Sequence, residues 1–290
     1  MSDGRETLLR ARHLVKEFAS PSGGVFGRTR RFRAVDDVSL EVRTGETLAL
    51  VGESGSGKST TARLIARLID TTSGSIEFDG REVHSLTGKA LHAYRGEVQV
   101  VFQDPYSSLN PKHTVERIVT APLLYQRRPI PGGARAFTGA LMERVGLNPD
   151  HSARFPAQFS GGQAQRIGIA RALAVSPKMI IADEAVSALD VSVQAQVINL
   201  LRRLQDEEGF SYLFIAHDLA VVRQIATRVA VMNEGRIVET GDRDQVFDAP
   251  RDDYTKKLLA AVPRIRPEWD AARRRNEAAR EDRERKEAGR

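Results

Sequence analysis

Residues 52–60 read Gly-Glu-Ser-Gly-Ser-Gly-Lys-Ser-Thr, and this stretch decides the fold. It fits the spacing G-x-x-x-x-G-K-[ST], which is typical of a loop that cradles phosphate groups. Glycines let such a loop curl so that successive backbone N–H groups point at phosphate oxygens. Lys58 would reach the β- and γ-phosphates, and the Ser59 hydroxyl would ligate Mg²⁺. The candidate nucleotide-binding residues of the loop are Gly52, Ser54, Gly55, Ser56, Gly57, Lys58, Ser59 and Thr60.

The residues on either side of this loop support the same interpretation. Residues 47–51, Thr-Leu-Ala-Leu-Val, predict a buried strand before it. Residues 59–69 predict a helix after it, with Leu64, Ile65 and Leu68 on one face. The N-terminus of that helix would add partial positive charge where phosphates bind. The alternative is a Gly/Ser-rich connecting loop that contains a lysine by chance, and the strand, helix and full spacing together argue against it.

Composition limits the class of protein. The chain has 290 residues, which predicts one large domain or a core with a subdomain. It has no cysteine, which excludes a disulfide framework and any zinc or iron–sulfur site held by its own thiolates. No apolar run approaches the ~18–20 residues of a membrane span. The polar N-terminus does not resemble a signal peptide, so we expect a cytoplasmic protein.

The formal net charge of +6 raises the possibility of a nucleic-acid or anionic-lipid partner. Much of the excess lies in two terminal segments, around residues 28–33 and 273–275. We therefore interpret it as solvated charge and expect no nucleic-acid partner.

Three apolar runs end in polar residues that suit phosphate chemistry. Gln103, the pair Asp183-Glu184, and His217 follow residues 98–102, 179–182 and 212–216. Ligands gather at the carboxyl ends of strands in such sheets, and an Asp there commonly holds Mg²⁺. Glu184 lies where a carboxylate would accept a proton from water attacking the γ-phosphate. Each residue alone could be a turn or a cap, but three such strand ends beside one phosphate loop favour a shared site.

Residues Ser160, Gly161, Gly162 and Gln163 open another predicted helix. Ser160 can cap that helix, and the two glycines leave the backbone N–H groups accessible to an anion. An ordinary cap and a second anion site fit the spacing equally well.

The ordered set of these motifs resembles an ATP-binding cassette (ABC) over roughly residues 7–245. The resemblance implies an α/β fold: a phosphate-loop NTPase core with an antiparallel β subdomain and an inserted α-helical subdomain at about 104–158. In that family the Ser160–Gln163 motif faces the γ-phosphate of ATP bound to a second cassette. The segment 187–190 links the paired sites.

The same resemblance assigns roles to single residues. Glu184, His217, Lys58 and Gln103 would be catalytic. Ser59, Gln103 and Asp183 would hold Mg²⁺, so that ATP and Mg²⁺ are the expected cofactors. An upstream aromatic stacks on adenine in this family, and Phe18 is the candidate here, with Phe32 as the alternative.

Within the family, the chain is most similar to ATPases of oligopeptide and dipeptide importers. The similarity lies in residues 103–111, 190–197 and 254–263. There are two departures from the common pattern. Phe159 replaces a leucine and stays apolar, and Ala185 stands where proline is frequent.

From this resemblance we expect an ATP-binding domain over 1–250 and a C-terminal extension over 251–290, whose charged tail at 264–290 is a solvated helix or disordered. The expected function is ATP hydrolysis that powers a membrane importer of di- or oligopeptides. The protein would lie peripherally on the cytoplasmic face of the membrane. Its expected partners are two transmembrane permease subunits, a second and different ABC ATPase, and an extracytoplasmic substrate-binding protein through the complex.

Two alternatives remain at this point. An importer of another solute, such as a metal or glutathione, would look the same, because the cassette does not touch substrate. A soluble ABC ATPase acting on nucleic acid or the ribosome fits less well. Such relatives usually carry two cassettes or a long coiled-coil insertion, and this chain has one phosphate loop and no heptad run between its motifs.

Overall fold

The computed structural model describes residues 6–20 and 30–261, which form two sheets and the helices around them. The loop predicted over 20–31 lies outside these residues except at its ends, and the tail predicted over 264–290 lies wholly outside. The strands are β1 (Thr7–Ser20), β2 (Arg30–Arg43), β3 (Thr47–Val51), β4 (Ser73–Phe78), β5 (Arg81–Glu82), β6 (Val98–Val101), β7 (Met179–Asp183), β8 (Ser211–Ile215), β9 (Arg228–Asn233) and β10 (Arg236–Asp242).

The helices separate these strands and follow the last of them. They are α1 (Lys58–Ile65), α2 (Gly88–Glu97), α3 (Pro105–Ser108), α4 (Val115–Tyr125), α5 (Ala134–Arg144), α6 (Gly161–Leu173), α7 (Val191–Glu208), α8 (Leu219–Ile225), α9 (Arg243–Asp248) and α10 (Asp253–Ala260). Short 3₁₀ turns lie at Pro149–Ala153 and Pro156–Gln158.

The larger sheet has the strand order β10-β9-β3-β8-β7-β6. All neighbours in it pair in parallel except β10, which pairs antiparallel with β9. Every residue of β3, β7 and β8 is buried, as expected for parallel strands covered on both faces. The carboxyl ends of the parallel strands therefore meet at one edge, which is where the predicted site residues follow.

The smaller sheet, β2-β1-β4-β5, is antiparallel throughout. It shares a buried apolar cluster with one face of the larger sheet and with α1. Helices α3, α4 and α5 and the 3₁₀ turns fall within residues 104–158, and α4 packs on α5 and α6. Apolar residues of α4, α5 and α6 join the second core cluster, which lies on the other face of the larger sheet.

Two elements differ from the sequence prediction. Helix α1 ends at Ile65 rather than at residue 69, and Leu68, predicted on the buried face, is 46% exposed. The backbone of Arg67 is left-handed (φ +53°), which ends the helical run. Helix α2 was not predicted because Tyr94 and Gly96 are its buried residues, so the apolar periodicity is weak.

Candidate functional site

The phosphate loop follows β3 and is enclosed by strands from both sheets. Gly52 has φ +151°, and a Cβ there would lie 2.1 Å from the carbonyl oxygen of Met232. Gly57 has φ +104°, and a Cβ there would lie 2.4 Å from the carbonyl oxygen of Ala34. Glycine is therefore required at both positions by backbone conformation and by space.

Lys58 is folded inward over this loop. It is 4% exposed, and its Nζ donates to the carbonyl oxygens of Gly52 (2.8 Å) and Glu53 (2.7 Å) and to Ser56 Oγ (3.3 Å). Burial lowers the pKa of Lys58, while the carboxylates of Glu184 and Asp183 oppose that shift. The ammonium is thus held by loop oxygens within the influence of both predicted carboxylates.

Ser59 and Asp183 meet although they are far apart in the sequence. Ser59 Oγ donates to Asp183 Oδ1 at 2.8 Å. Asp183 is 8% exposed, and burial raises its pKa, partly offset by the bond from Ser59 and by Arg63. A hydroxyl and a carboxylate side by side are oxygen ligands of the kind that Mg²⁺ prefers, so this pair fits the predicted metal.

Glu184 and His217 also lie together, at the ends of β7 and β8. His217 Nδ1 is 3.4 Å from Glu184 Oε2. The N–H of Glu184 donates to the carbonyl oxygen of Ile215 (3.0 Å), and its backbone is left-handed at φ +51°. A non-glycine residue in this conformation is uncommon, and the bond to Ile215 fixes the backbone of Glu184 at the strand end.

Of these groups, Lys58, Ser59 and Glu184 open onto one cleft of about 350 Å³. Its lining comprises Phe18, Phe32, Ala34, Ser54, Gly55, Gly57, Lys58, Ser59, Thr60 and Glu184. Phe18 and Phe32 are opposite each other in the β1–β2 pairing and are 42% and 61% exposed. Both aromatics considered for adenine stacking therefore lie at the cleft, and the Lys16 ammonium lies 5.2 Å from the centre of the Phe18 ring.

Gln103 is exposed just beyond β6 and does not line this cleft. The segment around it is bonded to α6 and to the residue before the α6 cap. Gln165 Nε2 donates to the carbonyl oxygen of Phe102 (3.2 Å), and the Tyr106 hydroxyl donates to that of Phe159 (2.7 Å). Two hydrogen bonds thus join the Gln103 segment to helix α6 and to the residue before the Ser160–Gln163 motif.

The Ser160–Gln163 motif forms a reciprocal cap at the start of α6. Gln163 N–H donates to Ser160 Oγ (3.4 Å), and Ser160 N–H donates to Gln163 Oε1 (3.0 Å). A Cβ on Gly162 would lie 2.4 Å from Val193 Cγ1, so a larger residue there would force the Val193 side chain on α7 to move. Ser160 and Gln163 are exposed, and none of the four residues lines the cleft of the phosphate loop.

One contact of the phosphate loop was not predicted from the sequence. The N–H of Glu53 donates to the hydroxyl oxygen of Tyr254 on α10 at 3.1 Å. The two residues are 201 positions apart. Tyr254 belongs to no motif of the site, so nothing in the sequence pattern pointed to it.

Comparison with known families accounts for this arrangement. A family model described as ABC transporter matches residues 35–187, which is just over half of the chain. The chain belongs to the ABC transporter family. A second model, described as the oligopeptide/dipeptide transporter C-terminal region, matches residues 238–289 of this ABC protein.

Similar curated proteins carry the name glutathione import ATP-binding protein GsiA. The ABC chain is 51% identical over 258 residues to the protein from Pectobacterium atrosepticum and 53% identical over 263 residues to that from Escherichia coli K12. These alignments cover 89% and 90% of the chain but 41% and 42% of the relatives. The chain thus spans about two-fifths of the length of these relatives.

Solved ABC structures share the fold. The dimeric ATP-binding cassette MJ0796 bound to ADP and Pi aligns with a TM-score of 0.70 and 27% identity, covering 81% of this chain and 99% of that one. CbiO1 from Clostridium perfringens, part of the ABC transporter complex cbiONQ, aligns with a TM-score of 0.71 and 26% identity, covering 90% and 97%. These neighbours confirm the predicted cassette fold. Within the described ranges 6–20 and 30–261, no helix has both the length and the apolar character needed to cross a membrane.

Proposed function

We propose that this ABC cassette hydrolyses ATP to power a membrane importer of di- or oligopeptides. The observation that carries the proposal is the assembly of one site from three distant parts of the chain. Ser59 bonds to Asp183, and Glu184 beside His217 faces the same phosphate loop. The match of residues 238–289 to the oligopeptide/dipeptide transporter region supports the substrate class.

The chemistry follows from the arrangement of charge. Phosphoryl transfer to water needs positioning and charge stabilisation more than covalent help. Lys58 and the backbone N–H groups of the loop would bind the β- and γ-phosphates. Glu184, half-buried at the cleft, would accept the proton of the attacking water, and His217 would orient that carboxylate and contact the γ-phosphate.

Mg²⁺ would be held by Ser59 and Asp183 together with ATP oxygens, with Gln103 as a further ligand when its segment closes. The ion supplies neutralisation of the charge that develops on the phosphates. The raised pKa of Asp183 is consistent with a carboxylate that a cation would keep ionised.

A second cassette would complete the site. Ser160 and the N–H groups of Gly161 and Gly162 lie away from the cleft of their own chain, so they would meet the γ-phosphate of ATP bound to a partner. ATP would then sit between two chains, and closure of the pair would move two transmembrane permease subunits. An extracytoplasmic substrate-binding protein would deliver the solute, and the cassette would act peripherally at the cytoplasmic face of the membrane.

The solute class has one specific alternative. The similar curated proteins are named for glutathione import, and glutathione is a tripeptide with one unusual amide linkage. A peptide importer and a glutathione importer would therefore share much of their chemistry. Competition between labelled dipeptide and glutathione for uptake in cells that carry the complete transporter separates the two.

The test of ATP hydrolysis uses the full 290-residue chain together with the second cassette that purifies with it. We expect phosphate release from ATP that requires Mg²⁺ and is abolished by EDTA. Lys58→Ala should abolish it because the loop then lacks its buried cation, whereas Lys89→Ala, a lysine outside the site on α2, should leave it unchanged. Equal hydrolysis by wild type and Lys58→Ala would refute the proposal.

The partner proposal has its own test. We expect the transporter purified at native stoichiometry to contain one copy of this chain and one different cassette. The chain has no cysteine, so any iron–sulfur cluster in the complex would belong to another subunit. Two copies of this chain, with no second cassette, would instead show a homodimer.

A further inference from the structure

The hydroxyl of Tyr254 bonds to the phosphate loop from outside the loop. Its oxygen accepts the N–H of Glu53 at 3.1 Å. Tyr254 lies in the first turn of α10, within the C-terminal region matched over residues 238–289. A part of the chain assigned to the transporter class thus touches the part that binds phosphate.

The contacted N–H belongs to the peptide group between Gly52 and Glu53. The other end of that peptide group, the carbonyl oxygen of Gly52, accepts Lys58 Nζ at 2.8 Å. Tyr254 and Lys58 therefore hold opposite ends of one peptide plane. Gly52 has no Cβ to restrict rotation of this plane, so these two bonds contribute to its orientation together with the close contact from Met232.

A buried carboxylate holds the segment that carries Tyr254. Glu239, on β10 and 8% exposed, accepts the N–H groups of Arg251 (3.0 Å) and Asp252 (3.1 Å) and the side-chain amide of Gln245 (3.2 Å). Burial acts to raise the pKa of Glu239, but the hydrogen bonds that the carboxylate accepts, led by those from the backbone of Arg251 and Asp252, together outweigh burial and lower the pKa. The carboxylate is thus ionised and fixes the approach to α10.

The start of α10 is fixed in turn by Asp252. Its Oδ1 accepts the N–H groups of Tyr254 (2.8 Å) and Thr255 (3.3 Å), which caps the helix. The Tyr254 ring, with Leu258 and Leu259, packs against the buried apolar cluster of the larger sheet. The Asp252 cap and the packing of the ring together place the Tyr254 hydroxyl against the phosphate loop.

We propose that Tyr254 is a positioning residue for the phosphate loop. Its hydroxyl fixes the Gly52–Glu53 peptide so that the carbonyl of Gly52 holds Lys58 facing the nucleotide. The C-terminal region therefore contributes one residue, Tyr254, to the nucleotide site. This inference rests on the proposed binding of ATP and adds the residue that aligns the loop.

The test removes only the oxygen. Tyr254→Phe keeps the ring and its packing but leaves Glu53 N–H without this acceptor. We expect the dissociation constants of ATP and ADP to rise about 2- to 10-fold, the effect of one ordinary hydrogen bond. We also expect faster amide hydrogen exchange in the peptide that contains residues 52–58, with exchange in β3 unchanged.

Two further variants separate positioning from general stability. Lys256→Ala, on the same helix with a side chain 51% exposed, should change neither affinity nor loop exchange. Glu239→Gln keeps the hydroxyl but weakens the seat of α10, so it should shift both measurements in the same direction by a smaller factor. Thermal melting of each variant shows whether the fold is intact.

The outcomes distinguish the two proposals. Wild type that binds no ATP would overturn the proposed function, whereas the exchange comparison needs no nucleotide and still tests Tyr254. Tyr254→Phe with wild-type exchange in residues 52–58 and wild-type affinity would overturn the positioning role. An affinity loss without a change in loop exchange would also overturn it, because the hydroxyl would then act by another route.

Discussion

Two helix N-termini of this protein carry glycines and a hydroxyl, yet they are built in opposite ways. Helix α1 begins after Gly57, which is left-handed and provides no side-chain cap. Helix α6 begins after Ser160, whose side chain and that of Gln163 cap each other's backbone. The first terminus leaves its N–H groups to the loop and the cleft, and the second uses its own side chains. The same residue types therefore give a helix start that is open to the cleft in one place and a helix start that is partly capped by its own side chains in the other.

The difference teaches how the site is divided. Lys58, Ser59, Asp183 and Glu184 are brought together within one chain, so this half should bind nucleotide without help. Ser160 meets none of them in its own chain. If it contributes to hydrolysis, it must do so across an interface.

The largest expected effect comes from a substitution in the part of the site that one chain assembles alone. Glu184→Gln should slow hydrolysis by about 10²–10⁴-fold, the usual contribution of a general base, because the amide cannot accept the proton. ATP affinity should stay at the wild-type value, measured by calorimetry, and the ATP-bound pair of cassettes should persist longer. Turnover within about threefold of wild type would remove Glu184 from this role.

The next largest effect comes from a substitution in the Ser160–Gln163 motif, which would act across the interface. Ser160→Arg should reduce hydrolysis by about 10²-fold or more, comparable to the loss of one donor to a developing anion, yet spare ATP binding to the isolated chain. Thr114→Arg is a matched control, because Thr114 Oγ also accepts a cap bond at 3.4 Å, from Arg117 N–H on α4. Loss of ATP affinity in monomeric Ser160→Arg would mean that Ser160 is a structural cap alone.

Two smaller effects concern stability and should have opposite signs: Asp183→Asn should stabilise the fold, and Ser160→Ala should destabilise it. Asp183→Asn should raise the free energy of unfolding by about 1 kcal/mol at neutral pH, because it removes a buried charge while the amide oxygen can still accept from Ser59. Hydrolysis should be lost in the same variant. Urea unfolding measures the stability, and a less stable variant at neutral pH would contradict the expectation.

The pH dependence follows from the raised pKa of Asp183. Because the folded-state pKa exceeds the unfolded value, the folded protein binds more protons between the two values. The contribution of Asp183 to stability therefore becomes more favourable as the pH falls through its folded pKa. Asp183→Asn should lack this pH-dependent contribution. Urea unfolding curves of the wild type and the variant at several pH values measure the difference.

The smallest expected effect concerns the cap itself. Ser160→Ala should lower the free energy of unfolding by about 0.5 kcal/mol, the low end for removing a helix N-cap, because its cap bond is long (3.4 Å) and exposed. The N–H of Gln163 would lose its acceptor, whereas Gln163 Oε1 could still accept the backbone N–H of residue 160. A gain in stability, as expected for Asp183→Asn, would show that the cap is strained and would remove the contrast between the two termini.

Much of the site was predictable because it depends on strand ends. The apolar runs before Asp183 and His217 predicted parallel strands, whose carboxyl ends must meet beside the phosphate loop. The structure brings Ser59 to Asp183 and Glu184 to His217 as that reasoning requires. The cassette fold followed from the order of the same motifs.

The contacts that were not predicted are hydrogen bonds between distant parts of the chain. Tyr254 to Glu53 and Tyr106 to Phe159 span 201 and 53 positions, and no local pattern encodes them. Each joins a hydroxyl to a backbone group, an N–H donor in Glu53 and a carbonyl acceptor in Phe159, and almost every residue has both groups. Helix α2 was missed for a different reason, since its surface position leaves little apolar periodicity to detect.

The carbonyl oxygens of Met232 and Ala34, which close on Gly52 and Gly57, come from β9 and β2 rather than from the loop. These two strands pack so closely against the loop that only glycine fits at positions 52 and 57. A chain that acquired the nine residues 52–60 by chance would lack these neighbouring strands, and nothing would hold its loop in the same conformation. An engineer who transplants this loop should therefore carry the ends of both strands with it.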